Sequence, residues 1–226
     1  MIDTLADTMV VVPARDEAAA VGAVVHSLRH LGAARVIVVD DASTDGTAAQ
    51  ARAAGAEVVS SRGRGYGWAC HAGATVADGS PIVAFIDGDG SFDPRDLASL
   101  ARMVRDGADL ALGTRDRALA MPLHQRVGNR LTLALLRVLY GLSLRDIAPL
   151  RAIRREALDG LEMRPTRYAW LVEMLAKAAR RRLRIVAWPV RYGPRVGGVS
   201  KVTGSPRASA LAGIDFLGAL FAYLRW

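Results

Sequence analysis

The fold is decided by residues 81–94, which read Pro81-Ile82-Val83-Ala84-Phe85-Ile86-Asp87-Gly88-Asp89-Gly90-Ser91-Phe92-Asp93-Pro94. An apolar segment of strand length ends there against carboxylates that are separated by small residues. Strands buried in a parallel sheet are nearly continuous apolar runs, and ligands of open α/β sheets bind at the carboxyl ends of strands. The stretch therefore predicts a buried parallel strand that delivers Asp87 and Asp89 to the functional edge of a sheet.

The acidic residues after this strand have two interpretations. Oxygen ligands next to glycines suit Mg²⁺ or Mn²⁺, hard ions that keep part of their water and bridge substrate phosphates. The same residues are also typical of a turn, in which Asp93 caps a helix that begins near Pro94. Because Asp and Gly dominate turns for conformational reasons alone, this segment by itself leaves both interpretations open.

Strand-like and helix-like segments alternate on both sides of this stretch. Apolar runs predict five strands, and the segments between them predict four helices; the strands are 9–12, 35–39, 56–60, 82–86 and 108–112, and the helices 16–31, 44–54, 66–77 and 95–105. Such an alternation favours right-handed βαβ units with helices on both faces of the sheet. We therefore expect an α/β fold, a three-layer α/β/α sandwich with a mostly parallel central sheet.

The pattern changes after residue 113. Residues 126–142 and 168–181 predict two further helices, and residues 183–192 predict one or two late strands. Pro189 lies inside this last run and places it at an edge or a break of the sheet. We expect these late elements to complete one domain by forming the second half of a cleft.

Composition limits the classes of function. With 226 residues and 51% hydrophobic content the chain can bury a full core, and the single Cys70 allows no internal disulfide. Together with the lack of a signal-like N-terminal segment, this predicts a cytoplasmic location. The net charge of +8 favours anionic partners, namely nucleic acid, acidic lipid or phosphorylated substrates. No basic motif interleaved with aromatic residues supports nucleic-acid binding.

The C-terminal segment 205–226 is predicted to be an amphipathic helix appended to the main domain. Its apolar run is interrupted by Asp215, so it is too short for a membrane-spanning helix. Flanking arginines and aromatic residues near its end allow it to lie in a membrane interface. Packing on the core and contact with a second subunit of a homodimer remain alternatives.

Polar residues follow three of the predicted strands. They are Pro13 to Glu17 after the first strand, Asp40 and Asp41 after the second, and the Asp87 and Asp89 pair after the fourth. In a doubly wound sheet these ends converge on one crevice, where carboxylates can accept hydrogen bonds from a base or ribose. The chain has neither a G-x-G-x-x-G sequence after the first strand nor a P-loop. The pattern therefore indicates a nucleotide site of another kind.

Five motifs along the chain resemble glycosyltransferase family 2, which has the GT-A fold, and most closely its dolichyl-phosphate or polyprenyl-phosphate mannosyl- and glucosyltransferase branch. They occur in family order: Val11-Val12-Pro13-Ala14-Arg15-Asp16-Glu17, Val38 to Thr47, Asp87-Gly88-Asp89, Gly113-Thr114-Arg115, and Arg195-Val196-Gly197-Gly198-Val199-Ser200-Lys201. The resemblance covers about residues 9–204, so it implies one GT-A domain over 1–204 followed by the terminal helix.

The resemblance implies a role for each donor-side residue. The nucleoside of a GDP- or UDP-sugar would be surrounded by Pro13, Ala14, Glu17, Asp40 and Asp41, with Arg64 of the glycine-rich segment 63–67 fitting either base. Asp87, Gly88 and Asp89 would form the D-x-D motif, with Asp89 the main contact of Mg²⁺ or Mn²⁺. The cation would act as a Lewis acid that stabilises the departing nucleoside diphosphate.

On the acceptor side, the resemblance implies that a lipid phosphate attacks the anomeric carbon and inverts it. A phosphate is already a nucleophile, so it needs positioning and charge neutralisation more than a base. The matching basic residues are Arg115, Arg195 and Lys201, with Arg126 a further match. Glu173 matches a cleft carboxylate that could serve as a base for a hydroxyl acceptor, although pairing with Lys177 at i,i+4 is the simpler structural role.

Two departures from the family pattern leave the acceptor open. Ser91 stands where relatives commonly carry Gln or a similar ligand, and Ala148-Pro149-Leu150-Arg151 stands in place of a T-S-G-F-R segment. Transfer to a hydroxyl acceptor is therefore an alternative. A sugar-phosphate nucleotidyltransferase is disfavoured because residues 13–17 lack the glycine-rich basic signature that it needs. A non-catalytic membrane-associated scaffold is disfavoured because the residues of the D-x-D motif and the basic partners are all present.

Overall fold

A seven-stranded sheet forms the middle layer of the computed structural model, which describes residues 4–76, 79–115, 123–197 and 206–224. Its strands are β1 (Thr8–Ala14), β2 (Arg35–Asp40), β3 (Glu57–Ser60), β4 (Ile82–Phe85), β5 (Leu110–Arg115), β6 (Arg151–Arg154) and β7 (Ile185–Val190). The helices are α1 (Val21–His30), α2 (Thr47–Ala53), α3 (Tyr66–Ala74), α4 (Pro94–Arg105), α5 (Leu123–Tyr140), α6 (Arg155–Gly160), α7 (Trp170–Arg180) and α8 (Pro206–Ala222).

The strand order is β3-β2-β1-β4-β6-β5-β7, and every neighbouring pair is parallel except the two that involve β6. The remaining six strands therefore run in one direction. Because β1 lies between β2 and β4, the three polar strand ends predicted to converge are adjacent in the sheet. The predicted mostly parallel α/β fold is confirmed.

Two hydrophobic clusters cover the two faces of the sheet. One contains buried residues of α1, α2 and α4, and the other contains buried residues of α3, α5, α7 and α8. Helices on both faces keep a mostly parallel sheet away from water, which is why β4 is apolar throughout and β1 is apolar after Thr8. The predicted three-layer α/β/α arrangement follows from this division.

Residues 81–94 contain a buried strand and the start of a helix. Residues 82–85 form β4, with every side chain buried. Asp93 then accepts the backbone N–H of Arg95 at 2.9 Å, and Pro94 opens α4, which is a helix N-cap. The turn interpretation therefore holds for Asp93, while Asp87 and Asp89 stand between the strand and this cap.

The prediction missed β6 and α6. The sequence of β6 contains two arginines, so it lacks the apolar run that revealed the other strands. β7 is an edge strand that contains Pro189, as predicted. In the described part of the chain, no helix is both long enough and apolar enough to cross a bilayer.

Candidate active site

The end of β1 connects the three strand ends through its carbonyl groups. Asp41 donates its N–H to the Ala14 carbonyl at 2.9 Å, and Gly88 donates its N–H to the Pro13 carbonyl at 3.3 Å. A Cβ placed on Gly88 would lie 3.1 Å from the Cβ of Ala14, a tight contact. Glycine between the two aspartates therefore lets the segment after β4 approach β1 closely.

The loops after β1 and β2 are fixed to each other by side-chain hydrogen bonds. The Asp16 carboxylate accepts the N–H of Thr44 at 2.8 Å, and the Asp16 N–H donates to the Ser43 hydroxyl at 3.0 Å. The Glu17 N–H donates to the Thr47 hydroxyl at 2.8 Å. These polar residues of the first two motifs therefore build a rigid rim next to the sheet edge.

Asp41 holds the glycine-rich loop. Its carboxylate is almost fully buried, and it accepts the Ser61 hydroxyl at 2.6 Å and the Gly65 N–H at 3.1 Å. Gly65 has a φ of +105°, a left-handed conformation that glycine adopts without strain. Asp40 accepts the Ser43 N–H at 3.2 Å. Both carboxylates thus position the loops of the predicted nucleoside site.

Arg64 extends this rim toward the edge of the sheet. Its guanidinium lies 4.5 Å from the ring centre of Trp68, within cation–π range. The two side chains line a cavity of about 280 Å³ together with Ser60, Ser61, Arg62, His71, Ala72 and Thr75. Ser61 joins this cavity to Asp41, so the structure brings the predicted base-binding residues Arg64 and Asp41 to one region.

Asp87 is half-buried, and one oxygen of its carboxylate lacks a partner. Its Oδ1 atom is buried without a hydrogen bond. Burial and the neighbouring charge of Asp89 raise the pKa of Asp87 to about 6, against the opposing charges of Arg115 and Arg195. A buried carboxylate oxygen of this kind is stabilised by a proton or by a cation.

The donor set around Asp87 fits a hard divalent cation. Among the described residues, no group of three or more Asp, Glu, His or Cys side chains forms a protein cage for a metal. Mg²⁺ is commonly bound by one or two carboxylates, with water and substrate phosphates as the other ligands. The unsatisfied oxygen of Asp87 next to Asp89 matches that requirement.

Asp89 shares its carboxylate between Ser91 and Arg195. Its Oδ1 accepts the Ser91 N–H at 2.9 Å and the Ser91 hydroxyl at 2.6 Å, and its Oδ2 lies 2.8 Å from Arg195 Nη1. The second terminal nitrogen of Arg195 pairs with Glu17. The Val196 N–H also donates to the Asp89 carbonyl at 3.1 Å. Residues 195–196 therefore lie directly on the acidic segment, and Ser91 orients Asp89.

Arg115 is held by Asp146, a residue that the sequence analysis did not identify. Its Nε and Nη2 atoms lie 2.8 and 2.9 Å from the two oxygens of Asp146, which is fully buried. Burial alone would raise the pKa of Asp146, but the Arg115 guanidinium outweighs it and holds this pKa below its usual range. The Cζ atom of the same guanidinium lies over the ring of Tyr192, 5.2 Å from the ring centre. The sequence signal that could have identified Asp146 was its position just before residues 148–151, the segment that departs from the family pattern.

Arg151, from the second departure in the sequence, has a structural role. Its guanidinium is fully buried and donates to the carbonyls of Ala148 and Ile147, and it lies 3.3 Å from the carbonyl of Leu171. Burial lowers the pKa of Arg151 to about 10. It therefore anchors the segment before β6 to α7 in the interior.

Glu173 forms the i,i+4 ion pair with Lys177 that its spacing predicted. It is fully buried, its Oε1 lies 2.8 Å from Lys177 Nζ, and it accepts the N–H of Arg164 at 3.0 Å. None of the contacts found in the described residues joins Glu173 to the acidic pair after β4. The ion pair and the Arg164 N–H both engage Oε1, whereas Oε2 is buried without a hydrogen bond, so the catalytic role expected of Glu173 stays a prediction.

The predicted site residues thus divide into three groups. The structure brings together Asp87, Gly88 and Asp89 with Glu17, Arg195, Pro13 and Ala14, and it places the charge of Arg115 next to Asp87. Asp40, Asp41 and Arg64 form the neighbouring rim. Lys201 lies outside the described residues, as does the side chain of Arg126.

Comparisons with known proteins agree on one family. A model described as glycosyl transferase family 2 matches residues 9–161. A protein of Mycobacterium tuberculosis described as an uncharacterized glycosyltransferase is 46% identical over 184 residues, which are 80% of this chain and 84% of that protein. The dolichyl-phosphate hexose transferase of Haloferax volcanii is 33% identical over 200 residues, 86% of either chain.

A solved structure shows the same fold. Glucosyl-3-phosphoglycerate synthase from Mycobacterium tuberculosis, in complex with Mn²⁺, UDP and glucosyl-3-phosphoglycerate, superimposes with a TM-score of 0.77. The match covers 96% of this chain and 79% of that one, at 24% sequence identity. The overall fold of the chain is therefore a known one.

Proposed function

The chain belongs to glycosyltransferase family 2, and from that membership we propose that it transfers a hexose from a nucleoside-diphosphate sugar to a polyprenyl- or dolichyl-phosphate-like lipid. The observation that carries this proposal is the buried, unsatisfied oxygen of Asp87 beside Asp89, with the cations Arg115 and Arg195 around the pair. Such a constellation suits a divalent cation bound together with a diphosphate.

On the donor side, Asp87 and Asp89 would hold Mg²⁺ or Mn²⁺, which supplies Lewis-acid stabilisation of the nucleoside-diphosphate leaving group. Pro13, Ala14, Asp40, Asp41 and Arg64 would bind the nucleoside of GDP-mannose or UDP-glucose type, because they form the rim next to this pair. Glu17 would act on the same region through its ion pair with Arg195. The nucleoside contacts remain predictions.

On the acceptor side, a phosphate needs cations rather than a base. Arg115 is held by Asp146 through Nε and Nη2, so its orientation is fixed before a substrate arrives. Arg195, and Lys201 by its place in the same motif, would add charge neutralisation. Glu173 is engaged with Lys177, which favours a phosphate nucleophile over a hydroxyl that requires deprotonation. The Haloferax relative is named for transfer to dolichyl phosphate.

A lipid acceptor also places the protein at a membrane. We therefore assign it to the cytoplasm with peripheral contact on the cytoplasmic membrane face.

The proposal is tested by donor binding followed by transfer. UDP- and GDP-sugars should raise the melting temperature only with Mn²⁺ or Mg²⁺, and label from the matching donor should appear in lipid extracts that contain polyprenyl phosphate. Asp89→Asn should reduce transfer by at least about a hundredfold, while Asp106→Asn, an exposed aspartate at the end of α4, should leave it unchanged. Absence of metal-dependent binding for every donor would refute the proposal, and transfer only to a hydroxyl acceptor would refute its acceptor half.

A further inference from the structure

The outer faces of α5 and α8 carry most of the exposed apolar surface. In the part of the chain that the structure describes, seven large hydrophobic side chains are exposed, and five of them lie on these two helices: Leu131, Val138, Leu211, Ile214 and Phe221. Single exposed apolar residues are normal on a soluble protein, whereas a contiguous group marks an interaction site. We call this surface the α5–α8 face.

The two helices form one continuous support for this face. They pack against each other, and the Tyr140 hydroxyl donates to the Leu220 carbonyl at 2.5 Å. This hydrogen bond joins the C-terminal ends of the two helices, near the exposed Phe221. The opposite side of α8 is buried against the core, because Ala219 and Leu220 belong to the main hydrophobic cluster. The apolar residues of the α5–α8 face therefore cannot turn inward.

The charges on this face are almost all positive. Arg130 and Arg137 are exposed on α5, beside the exposed apolar residues. Arg180, exposed at the end of α7, lies close enough to Tyr140 to act electrostatically on its hydroxyl. The sequences of α5 and α8 together contain one carboxylate, Asp215, and it is half-buried.

We infer that the α5–α8 face docks on the surface of an anionic lipid bilayer. Its apolar side chains would enter the boundary between head groups and acyl chains, while its arginines would contact lipid phosphates. A second copy of the chain fits less well. In a two-fold dimer this face would meet itself, so Arg130 and Arg137 would approach like charges. The inference rests on the proposed function only in that a lipid-phosphate acceptor supplies a bilayer.

Vesicle binding tests this inference without any transfer reaction. The full chain should cosediment with vesicles in which about a third of the lipid is phosphatidylglycerol, and binding should weaken strongly at about 1 M salt. Vesicles of phosphatidylcholine alone should bind much less. Equal binding to both compositions, or no binding to either, would overturn the inference.

Matched substitutions locate the surface. Ile214→Glu combined with Val138→Glu should reduce vesicle binding at least about tenfold, whereas Trp188→Glu, an exposed apolar residue on β7, should not. Arg137→Gln should reduce binding to anionic vesicles by roughly fivefold, and Arg52→Gln, an exposed arginine on α2, should have no effect. Equal losses in the controls would show nonspecific charge or apolar attraction and would contradict the proposed surface.

Two further readouts separate the remaining outcomes. Sedimentation velocity should show no dimer formed through the α5–α8 face. A dimer that dissociates when Ile214→Glu and Val138→Glu are combined would assign this face to a second copy of the chain instead. Metal-dependent donor binding, measured without vesicles, should be the same in these variants and the parent. Vesicle binding without lipid glycosylation would refute the proposed function but support the docking surface. Glycosylation of a short-chain acceptor without vesicle binding would support the proposed function but refute the docking surface.

Discussion

The carboxylate of Asp89 would have to bind both a divalent cation and Arg195. A cation at the D-x-D pair needs an oxygen of Asp89, yet Arg195 holds Oδ2 at 2.8 Å and is itself paired with Glu17. Because the guanidinium and a divalent cation repel each other at this distance, the two should compete. When the cation and the donor bind together, Arg195 would release Asp89 and pair with the diphosphate of the donor instead.

Replacing Arg195 should therefore have opposite effects on metal binding and on transfer. Arg195→Gln should tighten the binding of Mn²⁺ alone by roughly tenfold, since it removes a charge-assisted competitor, while lowering transfer from the complete donor. Isothermal calorimetry with Mn²⁺ alone measures the first effect. Arg191→Gln is the control, because Arg191 is an exposed neighbour that pairs with Asp93 and Asp96. Weaker Mn²⁺ binding in the Arg195 variant would show that the guanidinium supports the site rather than competing for it.

Among the helices, α7 carries a buried ion pair that also contacts the end of the C-terminal segment. Glu173 and Lys177 lie one turn apart, both fully buried, and the Lys177 ammonium lies 4.7 Å from the ring centre of Tyr223. The pair thus joins α7 to the residue that follows α8. Removing one member of a buried ion pair leaves the other charge uncompensated, whereas replacing both can be nearly neutral.

A double-mutant cycle distinguishes this structural role from catalysis. Lys177→Met should destabilise the fold by about 3–5 kcal/mol in urea unfolding, and adding Glu173→Gln should recover most of that loss. The double variant should retain transfer to a lipid phosphate once folded. Loss of transfer in a stable double variant would give Glu173 the catalytic role that its contacts do not support.

For the whole molecule, the sheet order and α8 decide how the domain is completed. The mixed order places β6 between β4 and β5, which brings Arg115 at the end of β5 to the same edge as the acidic pair. On one face of the sheet, α8 packs against α5 and α7, and its residues Ala212, Ala219 and Leu220 are buried. The predicted terminal helix is therefore part of the core on its inner side.

Removal of residues 205–226 should consequently cost fold stability in addition to any loss of membrane contact. Loss of the buried contacts of Leu220 and Tyr223 alone should lower the free energy of unfolding by at least about 3 kcal/mol, measured by urea denaturation. Phe221→Ser, on the exposed side of the same helix, should change it by less than about 0.5 kcal/mol. A truncated chain as stable as the parent would show that α8 is an independent appendage, one of the alternatives that its sequence left open.

Local sequence patterns were enough to predict the layers of the fold and the acidic edge. Apolar runs followed by turns identify β1 to β5 and β7, since burial on both faces of a parallel sheet requires such runs. They also locate Asp40, Asp41, Asp87 and Asp89 at strand ends. These features depend on residues that are neighbours in the chain, which a pattern can reveal.

Which of these side chains meet, and with what partners, became known only from the three-dimensional packing. The pairing of Arg195 with Asp89, of Arg115 with Asp146, and of β6 with β4 joins segments that are 106, 31 and 66 or more residues apart in the chain. Long-range contacts of this kind depend on sheet order and packing, so local hydrophobic patterns do not specify them. The same reason applies to Glu173: the family resemblance implied a cleft carboxylate, and only the structure shows that it is buried against Lys177.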